Sequence, residues 1–195
     1  MQLKVLLVDD QPGRIGLTQP ALEAAGCQVH VSMSALQLSA QVESIEPDAV
    51  IISIDSPDRD TLEHICVMSG NCPRPVVMFT DDSDPDTIRA AIQAGVVSYV
   101  VSGLDPARLR PILDVAISRF QAFQAMHDQL AQAQQQLEEN KLVDQAKRRL
   151  IRQLGVSENE AYQQLRKLAM DSGTRLADAA RKLIGLRRLP GGNTS

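Results

Sequence analysis

An α/β chain is the fold the sequence predicts: a five-stranded parallel sheet, a long helix leaving it, and a small helical domain at the end. Three observations predict it. Short apolar runs alternate with helical patterns over the first ~110 residues; a helix opening at Asp105-Pro106 meets no breaker between Pro111 and Gly155; and two further capped helical segments follow it.

The apolar runs are LKVLLVD (3–9), a weaker QVHVS (28–32), AVIISI (49–54), PVVMFT (75–80) and VSYVVS (97–102). Helical periodicity fills the intervals from Gly16 to Ala25, Ala35 to Ile45, Asp60 to Ser69 and Asp84 to Ala94. Near-continuous Val/Ile/Leu runs mark strands buried on both faces, as in a parallel sheet with helical crossovers. Five such β–α repeats make a flavodoxin-like, doubly wound fold. Its chemistry collects at the carboxyl ends of the strands.

The fifth helix starts with an N-cap and a proline in its first turn. Along it Ala116, Phe120, Phe123, His127, Leu130, Gln134 and Leu137 recur at alternating 4,3 spacing, the seam of a coiled coil. A helix pairing with a second copy of itself is the reading taken; a single solvated helix folded back on the body is the other. The long helix runs on through KLVDQAKRRLIRQL to Gly155. Ser157-Glu158-Asn159-Glu160 is then a capping box opening SENEAYQQLRKLAMDS, which Gly173 closes. A third segment, TRLADAARKLIGL, leads to a Pro190-Gly191-Gly192 tail expected to be disordered. Leu150, Leu154, Ala161, Leu165, Leu168, Ala169, Leu176, Ala180 and Leu183 can form a small core, marginal on its own.

Composition narrows the function classes. The chain has 195 residues, is 44% hydrophobic, and contains no apolar run near the ~20 residues of a membrane helix. Its first residues, MQLKVLLVDDQ, read as a strand and not a signal peptide. Three cysteines without a C-x-x-C pair support neither zinc nor a disulfide framework, and suit a cytoplasmic protein. Charge is divided: residues 1–140 hold 8 Lys and Arg against 19 Asp and Glu, whereas 141–195 hold 12 against 5. An acidic body with a basic tail points the tail at a polyanion, unless the tail is simply a solvated basic helix.

The residues at the strand ends carry a resemblance. The first ~119 residues resemble the receiver domain of two-component response regulators. Asp9 and Asp10 match that family's acidic pair, Thr80 its switch hydroxyl and Tyr99 its switch aromatic. The resemblance implies that such carboxylates hold Mg²⁺ while an aspartate ending the third strand attacks phosphorus and a lysine neutralises the product. Two positions depart from the pattern. Counting four residues back from Pro57 puts Ser53 at the acceptor position, and Ser102 stands where the lysine belongs. Serine without an adjacent base is a poor acceptor. Asp55 is the rival carboxylate, on the same side of the strand as Ser53 but about 6.6 Å further on, away from Asp9 and Asp10 unless the loop bends back. The expectation is a degenerate site of Ser53, Asp55 and Ser102 and no cofactor, with Asp9 and Asp10 as the ligands left for any Mg²⁺.

QAKRRLIRQLGVSENEAYQQLRKLAMDSGTRLADAARKLI is similar to an ANTAR domain, a three-helix RNA-binding module of transcription antiterminators. The marks are Ala146-Lys147, the turn at Gly155, Glu160-Ala161-Tyr162, Leu165-Arg166, Ala169-Met170 and Ala180. SPDRDTLE and YVVSGLDPARLRPIL most resemble the nitrate/nitrite (NasT-like) branch. The division expected is a pseudo-receiver over 1–119, a coiled-coil linker over 112–144, an ANTAR domain over 141–190 and a tail over 191–195.

The resemblance implies a non-enzymatic, cytoplasmic regulator whose dimer binds paired hairpins in leader RNA and prevents a terminator from forming. A nitrate/nitrite-sensing protein would then control it in place of aspartyl phosphorylation. Candidate RNA-binding residues are Lys147, Arg148, Arg149, Arg152, Tyr162, Arg166, Lys167 and Arg175. The first four span more than one helical turn and cannot share one face. Tyr162 either stacks a base or packs half-buried between helices. The alternative is a phosphorylation-activated DNA-binding regulator. It would need base-reading side chains at the start of a recognition helix, where SENEAYQQ is acidic. A protein-interaction adaptor with a merely solubilising tail is a third reading.

Overall fold

In the computed structural model of the chain, residues 2–101 and 106–186 are described. Ser102, on which one of the two departures from the receiver pattern rests, lies outside them, as does the 191–195 tail.

The first compact unit covers residues 1–125. Its strands are β1 (Leu3–Asp9), β2 (Cys27–Ser32), β3 (Ala49–Ser53), β4 (Val76–Thr80) and β5 (Val96–Val101). They form one parallel sheet in the order β2-β1-β3-β4-β5. The intervening helices are α1 (Pro12–Ala24), α2 (Leu38–Ile45), α3 (Arg59–Asn71) and α4 (Pro85–Ala94), and α5 begins at Pro106. Side-chain alternation along the strands splits the core in two. Leu6, Val8, Val50, Ile52 and Met78 pack with Leu38, Val42, Ile65, Met68 and Ala91 on the face covered by α2, α3 and α4. Val5, Leu7, Ile51, Val77 and Phe79 pack with Leu22, Leu109, Leu113 and Ala116 under α1 and α5. Each fully buried Leu or Ile contributes about 1.5–3 kcal/mol, so both faces of the sheet are anchored independently of the strand ends. This is the predicted five-stranded doubly wound fold.

Boundaries differ in instructive ways. α1 starts at Pro12, four residues before the predicted Gly16, because Pro12 sits in the first turn where its missing N–H costs nothing. α3 starts one residue earlier than expected, at Arg59, because the Asp58 side chain caps it, accepting from the Thr61 amide at 2.8 Å. Gly95 closes α4 at φ +111°, and a Cβ there would lie 2.3 Å from Ser69 Oγ, so the position requires glycine twice over.

α5 is continuous from Pro106 to Leu154, 49 residues. Ala116 belongs to the core of the first unit and is wholly buried, which removes it from the predicted coiled-coil seam. Farther along, Phe123, Leu130 and Leu137 are 66%, 58% and 60% exposed.

The second unit covers residues 126–195. The end of α5, α6 (Glu158–Asp171) and α7 (Leu176–Gly185) enclose Ala146, Leu150, Ala161, Leu165, Ala169, Ala179, Ala180 and Leu183. The SENE capping box is present in both directions, with Ser157 Oγ accepting the Glu160 amide and Glu160 accepting the Ser157 amide. Gly155 and Gly173 adopt φ +67° and +60° at the two helix ends the sequence predicts. Among the described residues no helix is long and apolar enough to cross a membrane.

Candidate functional site

Register brings the strand ends of the first unit together. β1 and β3 align Asp9 with Ser53, and β3 and β4 align Ser53 with Phe79. Asp9, Ser53 and Thr80 are all buried at this edge, whereas the side chains of Asp10 and Asp55 are 68% and 61% exposed.

The pocket is organised by a residue that sequence reasoning passed over. Arg14, on the first turns of α1, donates from Nε to Asp9 (2.8 Å), from Nη1 to Asp55 (2.6 Å), and from Nη2 to Asp10 (3.3 Å) and the Ser53 carbonyl (3.0 Å). Gln11 adds its amide to the second Asp9 oxygen (2.9 Å) and its Nε2 to the second Asp55 oxygen (2.8 Å). The guanidinium's planar fork suits this division among several carboxylates in a way an ammonium would not. Its hydrogen bond to Asp9 raises its pKa above an already high ordinary value; desolvation opposes this, and Asp55 adds to the rise. It therefore carries its charge at every accessible pH.

Asp55 does not project away from the acidic pair, as strand geometry alone predicts. The loop after β3 bends back, held where the Asp55 carbonyl accepts the Thr80 hydroxyl (2.8 Å) and the Asp81 amide (3.1 Å). Asp55 thus shares one cation with Asp9 and Asp10. Thr80 Oγ1 also accepts the Asp82 amide, and the half-buried Tyr99 donates to the Asp82 carbonyl at 3.1 Å. Burial raises the Tyr99 phenol's pKa, so it stays a donor. The switch pair named from the sequence is thereby bonded into the loops after β3 and β4.

As arranged, the acidic pair is engaged by Arg14. All three carboxylates direct oxygens at the guanidinium, and among the described residues no group of three or more His, Cys, Asp or Glu side chains is set to hold a metal.

In the second unit the candidate RNA-binding cations divide. Lys147 pairs with Asp144 (2.8 Å) and Glu158 (2.9 Å), which raise its pKa in that order. Arg149 donates to the carbonyls of Ile184 and Leu186 and so ties the end of α7 to α5. Both are structural ties, and replacing Arg149 cannot be read as a binding test alone. Arg148, Arg152, Arg166, Lys167 and Arg175 are exposed, with no ion pair among the described residues. Tyr162 is 38% exposed, between the two roles predicted for it.

A doubly wound domain whose acidic strand ends carry a bonded Thr80 and Tyr99 is continued into a three-helix unit. The family model of the response regulator receiver domain matches residues 5–114, and that of the ANTAR domain residues 131–184. The chain belongs to the response regulators that join a receiver to an ANTAR domain. The transcriptional regulatory protein PdtaR of Mycobacterium tuberculosis is 30% identical over 143 residues, 72% of this chain and 70% of its own. A nitrate regulatory protein of Klebsiella oxytoca is 35% identical over 80 residues, 41% of this chain and 20% of its own. A CheY-like receiver of Methanospirillum hungatei matches with TM-score 0.56 and 20% identity, over 63% of this chain and 98% of that one; it shows the fold alone.

Proposed function

We propose that the protein is a cytoplasmic transcription antitermination regulator whose ANTAR domain binds paired hairpins in leader RNA, as a homodimer joined along α5. The observation that carries this is the group of exposed cations Arg148, Arg152, Arg166, Lys167 and Arg175, which form no ion pair among the described residues. Positive charge without an internal partner is suited to phosphate, and sequence-specific RNA recognition targets single-stranded loops. The exposed apolar positions Phe123, Leu130 and Leu137 favour a second copy against α5. The first turn of α6 speaks against reading DNA, since Glu158 and Glu160 are acidic there and Glu160 is occupied with the cap.

Control passes through a partner sensor in this reading, because the pocket offers no free carboxylate oxygen at Asp55 and a serine at position 53. The likeness to a nitrate regulatory protein, together with SPDRDTLE and YVVSGLDPARLRPIL, supports a role in nitrate or nitrite assimilation, with a cytoplasmic nitrate/nitrite-sensing protein as that partner.

Gel-shift titration of the full chain against a leader transcript carrying two hairpins tests the reading. Binding should need both hairpins and fall steeply with salt, log K dropping roughly 0.7–0.9 per phosphate neutralised for each unit of log[salt]. Equal binding to duplex DNA of the same length would refute it.

A further inference from the structure

We infer that Arg14 is the built-in counter-ion of the acidic pocket, a guanidinium standing where a divalent cation would otherwise be required. Three observations carry this beyond an ordinary surface ion pair. One side chain meets all three carboxylates, Asp9, Asp10 and Asp55, and also the carbonyl of Ser53. The first of these carboxylates is wholly buried, and a buried carboxylate must be fully satisfied or it is severely destabilising. Among the described residues Asp9 is satisfied by Arg14 and the Gln11 amide. Finally, the arginine is itself held: its amide donates to the Gln11 carbonyl at 3.0 Å, and its own carbonyl accepts Thr18 Oγ1 at 2.9 Å.

A divalent cation entering this pocket has to displace the guanidinium from at least two carboxylates and leave it unpaired, with only 22% of the side chain exposed. Mg²⁺ is strongly hydrated and gains least where it must first expel a well-formed partner. The β1–α1 and β3–α3 loops, tied through Arg14 and Gln11, are therefore assembled in the absence of metal. This explains why control by a partner is compatible with an intact receiver fold. Its test uses no RNA, so it and the antitermination reading can fail separately.

The experiment compares the full-length wild-type chain with Arg14→Ala and Arg14→Lys, titrating MgCl₂ by calorimetry and following thermal unfolding in MgCl₂, in EDTA and in NaCl of matched ionic strength. Wild type should melt at the same temperature in all three. Arg14→Ala should melt lower in EDTA and NaCl, recover specifically with MgCl₂, and bind Mg²⁺ at least ~10-fold more tightly than wild type, a difference of about 1.4 kcal/mol. Arg14→Lys, which keeps the charge but not the fork, should fall between them. A salt bridge of purely structural importance would lower the melting temperature without creating the Mg²⁺ response. Wild-type binding of Mg²⁺ as tight as the alanine variant's, or no magnesium-specific recovery in that variant, would overturn the inference. Should Arg14→Ala not fold, wild type decides: saturable Mg²⁺ binding that Asp10→Asn abolishes would overturn it, and its absence would support it.

Discussion

The receiver unit and the ANTAR unit treat positive charge in opposite ways. In the first, Arg14 is spent on three carboxylates and the Ser53 carbonyl, and ties the β1–α1 segment to the loop after β3. In the second, the carboxylate of Glu160 is satisfied by backbone at a helix end, and Arg148, Arg152, Arg166, Lys167 and Arg175 remain turned to solvent. Electrostatics thus closes one unit inward and opens the other outward. A net charge of −4 for the whole chain conceals this division.

The largest expected effect comes from breaking the inward side. Arg14→Ala leaves Asp9 buried with one of its two partners gone, at a loss of about 3 kcal/mol in unfolding free energy; the solvent around Asp10 and Asp55 keeps it at the low end for a broken buried pair. Urea denaturation of the full chain, following the transition assigned to the sheet, measures it. An equal loss from Arg152→Ala would abolish the contrast between the units.

Breaking the outward side should change binding and leave folding alone. Arg148→Ala with Arg152→Ala removes two exposed cations one turn apart on α5, and leader-RNA affinity should fall about 30-fold, near 2 kcal/mol for two phosphate contacts. The salt dependence of log K should flatten by roughly 1.4–1.8 at the same time. Helical circular dichroism should be unchanged. If affinity holds but the chain loses helix, these arginines are structural and the outward reading is wrong for α5.

Arg149 sharpens the comparison, because it is a cation of the basic unit used inward. Arg149→Ala removes the tie to the carbonyls at the end of α7 and should cost about 1.5 kcal/mol. The RNA salt slope should stay that of wild type when measured on folded protein. A flattened slope would return Arg149 to the binding set.

How much of this was legible in the sequence follows the range of the interactions. Buried strands announce themselves as Val/Ile/Leu runs, and SENE spells its own cap, because both depend on neighbours a few residues away. Arg14 lies ahead of the helix expected from Gly16, whereas Pro12 in fact begins the helix that carries it. The signal available was an arginine four residues after Asp10, the spacing of a helical ion pair. Asp55 was misplaced for a different reason. Strand geometry extrapolates outward, whereas the loop is turned back by Thr80, 25 residues away in sequence. Ala116 fits the 4,3 repeat equally well as seam or as core, and only the packed sheet decides between them.

The smallest effect isolates how the ANTAR unit avoids consuming a cation on its carboxylate. Hydrogen bonds from the Ser157 amide, and then from its hydroxyl, hold Glu160 below the ordinary carboxylate range. A carboxylate depressed in the folded state contributes stability that is present above its unfolded pKa, about 4.3, and is lost as pH falls through the lower folded value. Helical stability of the ANTAR unit should therefore be flat from neutral pH to about 5 and decline only in the more acidic range. Ser157→Ala should lower it by about 1 kcal/mol at neutral pH, since the Glu160 amide loses its acceptor. It should also remove part of the acid-range decline, because Glu160 then gains less from ionising in the folded state. Leader-RNA affinity measured on folded variant at neutral pH should not move, because Ser157 and Glu160 face the helix end and the proposed binding cations do not depend on them. A variant that loses affinity in parallel with the cap would mean that the start of α6 lies in the RNA interface, and the separation of inward and outward charge would have to be redrawn at Ser157.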